Sequence, residues 1–299
     1  MIRFWKRLAL MGILILQVGL SQAQVSSVVR EGAKPQLISR TFSFTEGPAV
    51  DKKGNVYFTD QPNNRIWQYD IHGKLSLFME DAGRSNGMFF DTKGNLLACA
   101  DEQNQLWSIR KNKQKTVLLD QIEGKLFNGP NDVWVSKQGD IYFTDPYYKR
   151  NYWTRTQDAL PVKGLYVLYK DADEAVLLDS NFVRPNGIVG FPQENILYVA
   201  DIGNNKTYKY TILPNGNLSP RELFVNKGSD GMTIDNEGNV YTTGKDVVVF
   251  DKNGKQISYI PVPEPKTTNL SFYGKNRDKL FITAGEGIYL LDMRVTGLK

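Results

Sequence analysis

The sequence predicts an all-β fold, a six-bladed β-propeller with four-stranded antiparallel blades around a central channel. Three observations lead there: one segment recurs six times, each copy is written as a hairpin, and no stretch carries sustained helical periodicity. The copies begin at residues 46, 86, 131, 186, 230 and 269. They read EGPAVDKKGNVYFTD, NGMFFDTKGNLLACAD, NDVWVSKQGDIYFTD, NGIVGFPQENILYVAD, DGMTIDNEGNVYTTG and, most degraded, NLSFYGKNRDKLFITAG.

Within each copy a short apolar run is followed by a turn such as DKKGN or DNEGN, then by a β-branched and aromatic run. That is how a hairpin with glycine at a left-handed turn position is spelled. Two more strand-like runs follow in most copies, RIWQYD and KLSLFME after the first. Four strands at a spacing of roughly 40 to 55 residues make one blade. The sixth copy runs out after its third strand, GIYLLDMRV, so the run PQLISRTFSF from Pro35 is expected to supply the missing outer strand and close the ring. The longest gap, between the third and fourth copies, holds YYKRNYWTRTQDALPVK from Tyr147, which is polar, aromatic and non-periodic. It reads as an insertion of roughly ten residues near the channel mouth. Trp67, Trp107 and Trp134 fall in strand runs and are expected to pack between blades.

Ahead of the repeats, Arg3, Lys6 and Arg7 precede an apolar run from Leu8 to Leu20, and Ser21-Gln22-Ala23 supplies small residues for cleavage. Residues 1–23 therefore read as an export signal and 24–299 as a single propeller domain, placing the protein in a periplasm or the medium with no stable membrane insertion after cleavage. The formal charge of +5 includes the leader's three basic residues, leaving about +2, and the remaining Lys and Arg are scattered through turns; no nucleic-acid partner is implied. The sequence does not specify an oligomeric state. Cys99, in the apolar run LLACA, is the only cysteine, so no internal disulfide forms and a buried inert thiol is expected.

Function enters through the first position of each copy: Glu46, Asn86, Asn131, Asn186, Asp230 and Asn269. If the first run of each copy is the strand nearest the axis, these side chains converge on one mouth of the channel. Two carboxylates and several amide oxygens are hard ligands that suit Ca²⁺ and, less specifically, Mg²⁺, Mn²⁺ or Zn²⁺. Asn and Asp before Gly also serve in turns, so the turn reading stays open for each position taken alone.

TEGPAVDKKGNVYFTD, GPNDVWVSKQGDIYFTDP, RPNGIVG and SDGMTIDNEGNVYTT together resemble the gluconolactonase and senescence marker protein (regucalcin) family, over nearly all of residues 40–292. The resemblance implies a metal held by Glu46, Asn186 and Asp230 with Asn131 beside them, and Asp230 as general base or nucleophile. It implies a hydrolase opening a sugar lactone, the cation polarising the carbonyl while a carboxylate takes a proton from water. Asn86, Asn131 and Asn269 would then meet substrate hydroxyls, with Asp101 and Tyr147 or Tyr148 nearby. Two positions depart from the family: CADEQ, with Asp101, stands where many members carry His, and Gly129 stands where sugar lactonases place Arg.

Other catalytic arrangements are thin. His72, the one histidine, lies in the turn YDIHGKL, which leaves Ser-His-Asp hydrolysis without its base, and no Cys/His zinc spacing or phosphate-binding glycine loop is present. The competing readings are a non-catalytic, metal-containing propeller that binds a carbohydrate or peptide, and a phosphoester hydrolase.

Overall fold

The structure is a computed structural model that describes residues 28–298; the signal-sequence reading of residues 1–23 lies outside the described residues. Six four-stranded antiparallel sheets follow one another around a ring, a six-bladed β-propeller. The innermost strands are Thr45–Val50, Met88–Phe90, Val133–Val135, Pro185–Phe191, Met232–Ile234 and Asn269–Tyr273, one at the start of each repeat. Among the described residues no helix is long and apolar enough to cross a membrane.

The turn after each inner strand shows why the repeat is legible. In DKKGN the Asp51 carboxylate accepts the Lys53 and Asn55 N–H groups, both at 2.9 Å, and takes the Asn55 Nδ2 at 2.8 Å, while Gly54 bends back at φ 102°. Asp91 with Asn95, and Asp235 with Asn239, repeat that pattern in the second and fifth blades. A side chain that satisfies the turn's own N–H groups fixes the hairpin locally, which is why the same residues recur.

The sixth sheet is ordered Gln36–Ser39, Gly287–Asp292, Lys279–Ala284, Asn269–Tyr273. Gln36 pairs with Leu290 and Leu37 with Tyr289, so the start of the described chain forms the outer strand of the last blade. Val28, fully buried, adds to the same core with Leu291 and Met293. This closure replaces an exposed strand edge with a paired one.

Aromatic side chains fill the spaces between blades. Phe58 of the first blade meets Phe281 of the sixth at 5.4 Å between centroids, and Tyr241 of the fifth meets Phe272 of the sixth edge-on at 5.3 Å. Trp107 and Trp134 are buried, whereas Trp67 is only partly so. Cys99 lies fully buried, its thiol pushed well up by desolvation, as an inert core residue should be.

Candidate functional site

The six repeat-leading residues stand at the entrance to the inner strands, not in turns. Three carboxylates farther along the chain set their approach. Asp60 accepts the N–H groups of Ser43 and Phe44, Asp145 those of Asn128 and Gly129, and Asp201 those of Val183 and Arg184. Each Asp ends the second strand of a blade and fixes the segment entering that blade's first strand, so Glu46, Asn131 and Asn186 are delivered to equivalent places.

Glycine follows four of the six residues because the blades crowd together at the axis. A Cβ on Gly47 would lie 2.1 Å from the Asn86 carbonyl oxygen, and one on Gly231 would lie 1.9 Å from the Asn269 side chain. Only a residue without a side chain permits that approach. The third blade differs: Asp132 occupies this place, and its carboxylate fits because Gly87 leaves the space, a Cβ there being 2.2 Å from Asp132 Oδ1.

Around the ring, Asn186 Nδ2 donates to Asp230 Oδ1 at 2.9 Å and to the Tyr148 hydroxyl at 2.7 Å. Asn269 Nδ2 donates to Glu46 Oε2 at 3.0 Å, and the Gly47 N–H reaches the same oxygen at 2.8 Å. Glu46 Oε1 has no hydrogen bond among the described residues, and the Asn131 Oδ1, buried, has none either. Asn86 is buried, and its side-chain amide makes no hydrogen bond among the described residues, although its backbone N–H donates to the Cys99 carbonyl. Lys266 Nζ closes the other side on Asp230 Oδ2 at 2.5 Å; its side chain is 49% exposed, that of Asp230 12%.

Burial pushes the Glu46 carboxyl up to about 8, and the charge of Asp230 adds to it, against the lowering bonds from Gly47 and Asn269. Asp132 is pushed up to about 7, again by burial first, with a smaller contribution from Asp230. A confined group of acids whose ionised forms disfavour one another is a receptor for positive charge. Among the described residues no three Asp, Glu, His or Cys side chains gather as a metal-ligand group. The side chains that could offer oxygens are instead a carboxylate pair and amides, Glu46, Asp230, Asn131 and Asn186, of the kind calcium takes. Asn131 Oδ1, buried without a partner, and Glu46 Oε1, with no hydrogen bond among the described residues, are the two atoms with capacity to spare.

Residues 146–163, between the strands Ile141–Asp145 and Gly164–Leu168, form the expected insertion, where the other blades have short loops such as 61–64, and Tyr148 brings it to the mouth. It is pinned at several points. Arg150 Nε lies 2.6 Å from Asp101 Oδ2, the Tyr152 hydroxyl donates to the same carboxylate, and Trp153 Nε1 donates to the Glu102 carbonyl at 3.0 Å. Asn128 holds both Leu160 N–H and the Val162 carbonyl at 2.8 Å. Asp101, expected to face substrate, is thus spent on anchoring the loop, with Gln61 Nε2 also on it at 3.3 Å. Gly129 is required here, since a Cβ would lie 2.7 Å from Asp101 Oδ1 and 2.9 Å from the Trp153 ring.

Of the expected tyrosines, Tyr148 reaches the ring through Asn186, whereas Tyr147 packs on Trp153 and Arg155 with its hydroxyl buried and unpartnered. Asn269 has both amide ends engaged, on Glu46 and on the Leu270 N–H, so it positions Glu46. His72 sits exposed in an outer turn. Lys266 and the Asp132 carboxylate were not identified as site residues from sequence; the interruption of the glycine pattern at Asp132 was the available signal.

The family model described as the SMP-30/Gluconolactonase/LRE-like region matches residues 44–286. The chain is 25% identical over 292 residues to a gluconolactonase of Zymomonas mobilis, covering 88% of this chain and 82% of that one. It is 31% identical over 259 residues to the pentonolactonase XacC of Haloferax volcanii, covering 81% of each. Among solved structures, the calcium-binding regucalcin of Agrobacterium tumefaciens superposes with a TM-score of 0.74 at 18% identity, over 89% of this chain and 96% of that one, a likeness of fold.

Proposed function

The chain belongs to the SMP-30/gluconolactonase/LRE-like family, and from that premise we propose that it is a metal-dependent hydrolase that opens sugar lactones. Its lactonase relatives support lactone hydrolysis and a small-molecule lactone as substrate. The observation that carries the finer reading is the axial ring itself, where Glu46 keeps one oxygen open, Asn131 leaves an amide oxygen unpartnered, and Asp230 faces the same space. Glu46, Asn131, Asn186 and Asp230 would hold the cation, Ca²⁺ before Mg²⁺, Mn²⁺ or Zn²⁺, in keeping with the calcium-binding regucalcin of like fold. When bound, the cation supplies Lewis-acid polarisation of the lactone carbonyl and lowers the pKa of water.

The remaining chemistry belongs to the side chains. Asp230 accepts a proton at Oδ2 as water attacks the carbonyl carbon, and returns it to the ring oxygen as the ester C–O bond breaks, leaving a hydroxy acid. That oxygen must first lose Lys266, whose side chain is half exposed. Asn186 holds the other Asp230 oxygen and so fixes the carboxylate's orientation. Asn86, with no protein partner for its amide, meets substrate hydroxyls, Tyr148 forms the adjoining wall, and the 146–163 loop limits water on that side.

The leader of Arg3, Lys6, Arg7 and the apolar run to Leu20 supports export. Sequencing the mature N-terminus should find Gln24 first. For the activity, the mature protein, assayed with each of Ca²⁺, Mg²⁺, Mn²⁺ and Zn²⁺, should release acid from aldonolactones and lose that activity to a chelator. Failure to release acid from any lactone in the panel would overturn the reading.

A further inference from the structure

Two residues before each ring position, in the segments that lead into the inner strands, lies a second tier of residues. The six residues of this tier are Phe44, Arg84, Gly129, Arg184, Gly228 and Thr267. Arg184 sits in the bend just before Pro185, where Asp201 clamps its N–H at 2.8 Å and so fixes its backbone at the entrance to the strand that carries Asn186. Its guanidinium lies 5.2 Å from the Tyr148 ring centroid, and the Tyr148 hydroxyl in turn takes Asn186.

The other arginines that border this mouth are engaged, as is Lys266. Arg84 is on Glu102 and the Pro62 carbonyl, Arg150 on Asp101, Arg155 on the Asn128 and Gln157 carbonyls, and Lys266 on Asp230. Arg184 alone among them has no carboxylate or carbonyl partner among the described residues, and it is exposed. A planar fork of donors, stacked on a tyrosine that borders the reacting centre, is suited to a carboxylate or phosphate group.

Resting on the lactonase reading, we propose that the lactone this site takes carries an anionic group at the end remote from its carbonyl, and that Arg184 receives it. A carboxylate and a phosphate share that chemistry. Hydrolysis turns such a lactone into an open-chain acid with two anionic ends, so the site releases a more highly charged product than it accepts.

The test compares matched lactones. D-Glucaro-1,4-lactone and D-glucono-1,4-lactone differ in the terminal carboxylate; 6-phospho-D-glucono-1,5-lactone and D-glucono-1,5-lactone differ in the phosphate. The anionic member of at least one pair should have the higher kcat/KM, by about tenfold, and Arg184→Gln should remove that preference. Arg184→Lys, which keeps charge but loses the fork, should retain part of it and guards against a folding defect in the first variant. The preferred pair identifies the anion. Equal kcat/KM within both pairs, or an Arg184→Gln loss shared equally by charged and neutral members, would overturn the proposal and leave Arg184 as a strut on Tyr148. If the protein opens none of the four lactones, the lactonase reading fails separately. Calorimetric binding of D-glucarate against D-gluconate then decides, tighter binding of the dianion that is lost in Arg184→Gln upholding the anion site and equal binding refuting it.

Discussion

The two ends of the axial channel are built from the same six strands and have opposite character. At the strand entrances stand Glu46, Asn86, Asn131, Asn186, Asp230 and Asn269. Toward the hairpin turns lies a cavity of about 640 Å³ lined by residues such as Phe89, Val133, Ile188 and Leu270, together with Lys52, Lys137 and Lys275. The cavity touches the polar end only at Gly47, Asp132 and Asn269. A few steps of about 3.3 Å along one strand therefore separate a group of ionisable side chains from an apolar wall. Depth along the inner strand, more than membership of a blade, decides whether a side chain can do chemistry.

The sharpest way to break that contrast is at the polar end. Asp230→Asn keeps the shape and the Asn186 contact but removes the base, and turnover on a lactone should fall by about 10²–10⁴-fold with little change in thermal midpoint. A variant that kept its turnover would move the chemistry elsewhere. The second probe is pH. Asp145, buried beneath the same mouth, is pushed up to about 7 by desolvation, against bonds from the Asn128 and Gly129 N–H groups. Its folded form thus holds a proton that the unfolded chain releases near pH 4. Its contribution to stability is complete below that unfolded value and is lost as pH rises through about 7, at up to about 1.4 kcal/mol per unit. Denaturant midpoints across pH 4–8 should fall less steeply in Asp145→Asn than in the parent.

The apolar end calls for the opposite kind of change. A Cβ on Gly190 would lie 2.1 Å from the Trp134 ring, so Gly190→Ala overpacks the wall and should cost about 1–3 kcal/mol in a denaturant melt. Activity per folded molecule should hold, and a fall in kcat would show that the two ends are coupled.

The fold was legible because its signals are local. A turn such as Asp51 to Asn55 satisfies its own N–H groups, so the copies that carry it advertise their hairpins, and six copies leave little freedom in the architecture. The ring was half legible: the recurring oxygen-bearing position is visible in sequence, but the glycine after it looks like a turn residue and is in fact a point of close approach between blades. Long-range pairings were hidden. The second blade carries Ala100 where Asp60, Asp145 and Asp201 hold backbone, and Asp101, one residue farther on, holds Arg150 and Tyr152 from a loop about fifty residues away. Lys266 on Asp230 is likewise a contact between separate segments, and no periodicity announces it.

The smallest expected effect tests how far the loop belongs to the polar end. Tyr148 is its one side chain hydrogen-bonded to a ring residue, through Asn186 at 2.7 Å, and burial followed by Asp230's charge raises its phenol, so the hydroxyl stays neutral and remains a hydrogen-bonding group. Tyr148→Phe removes that group without emptying the wall. Asn186 keeps its bond to Asp230, so the base stays oriented and kcat should change little. The loss should fall on KM, about two- to tenfold, the range of one neutral hydrogen bond. A comparable loss in kcat would mean instead that the loop helps hold Asp230 through Asn186, and the boundary of the reactive end would have to be drawn to include it.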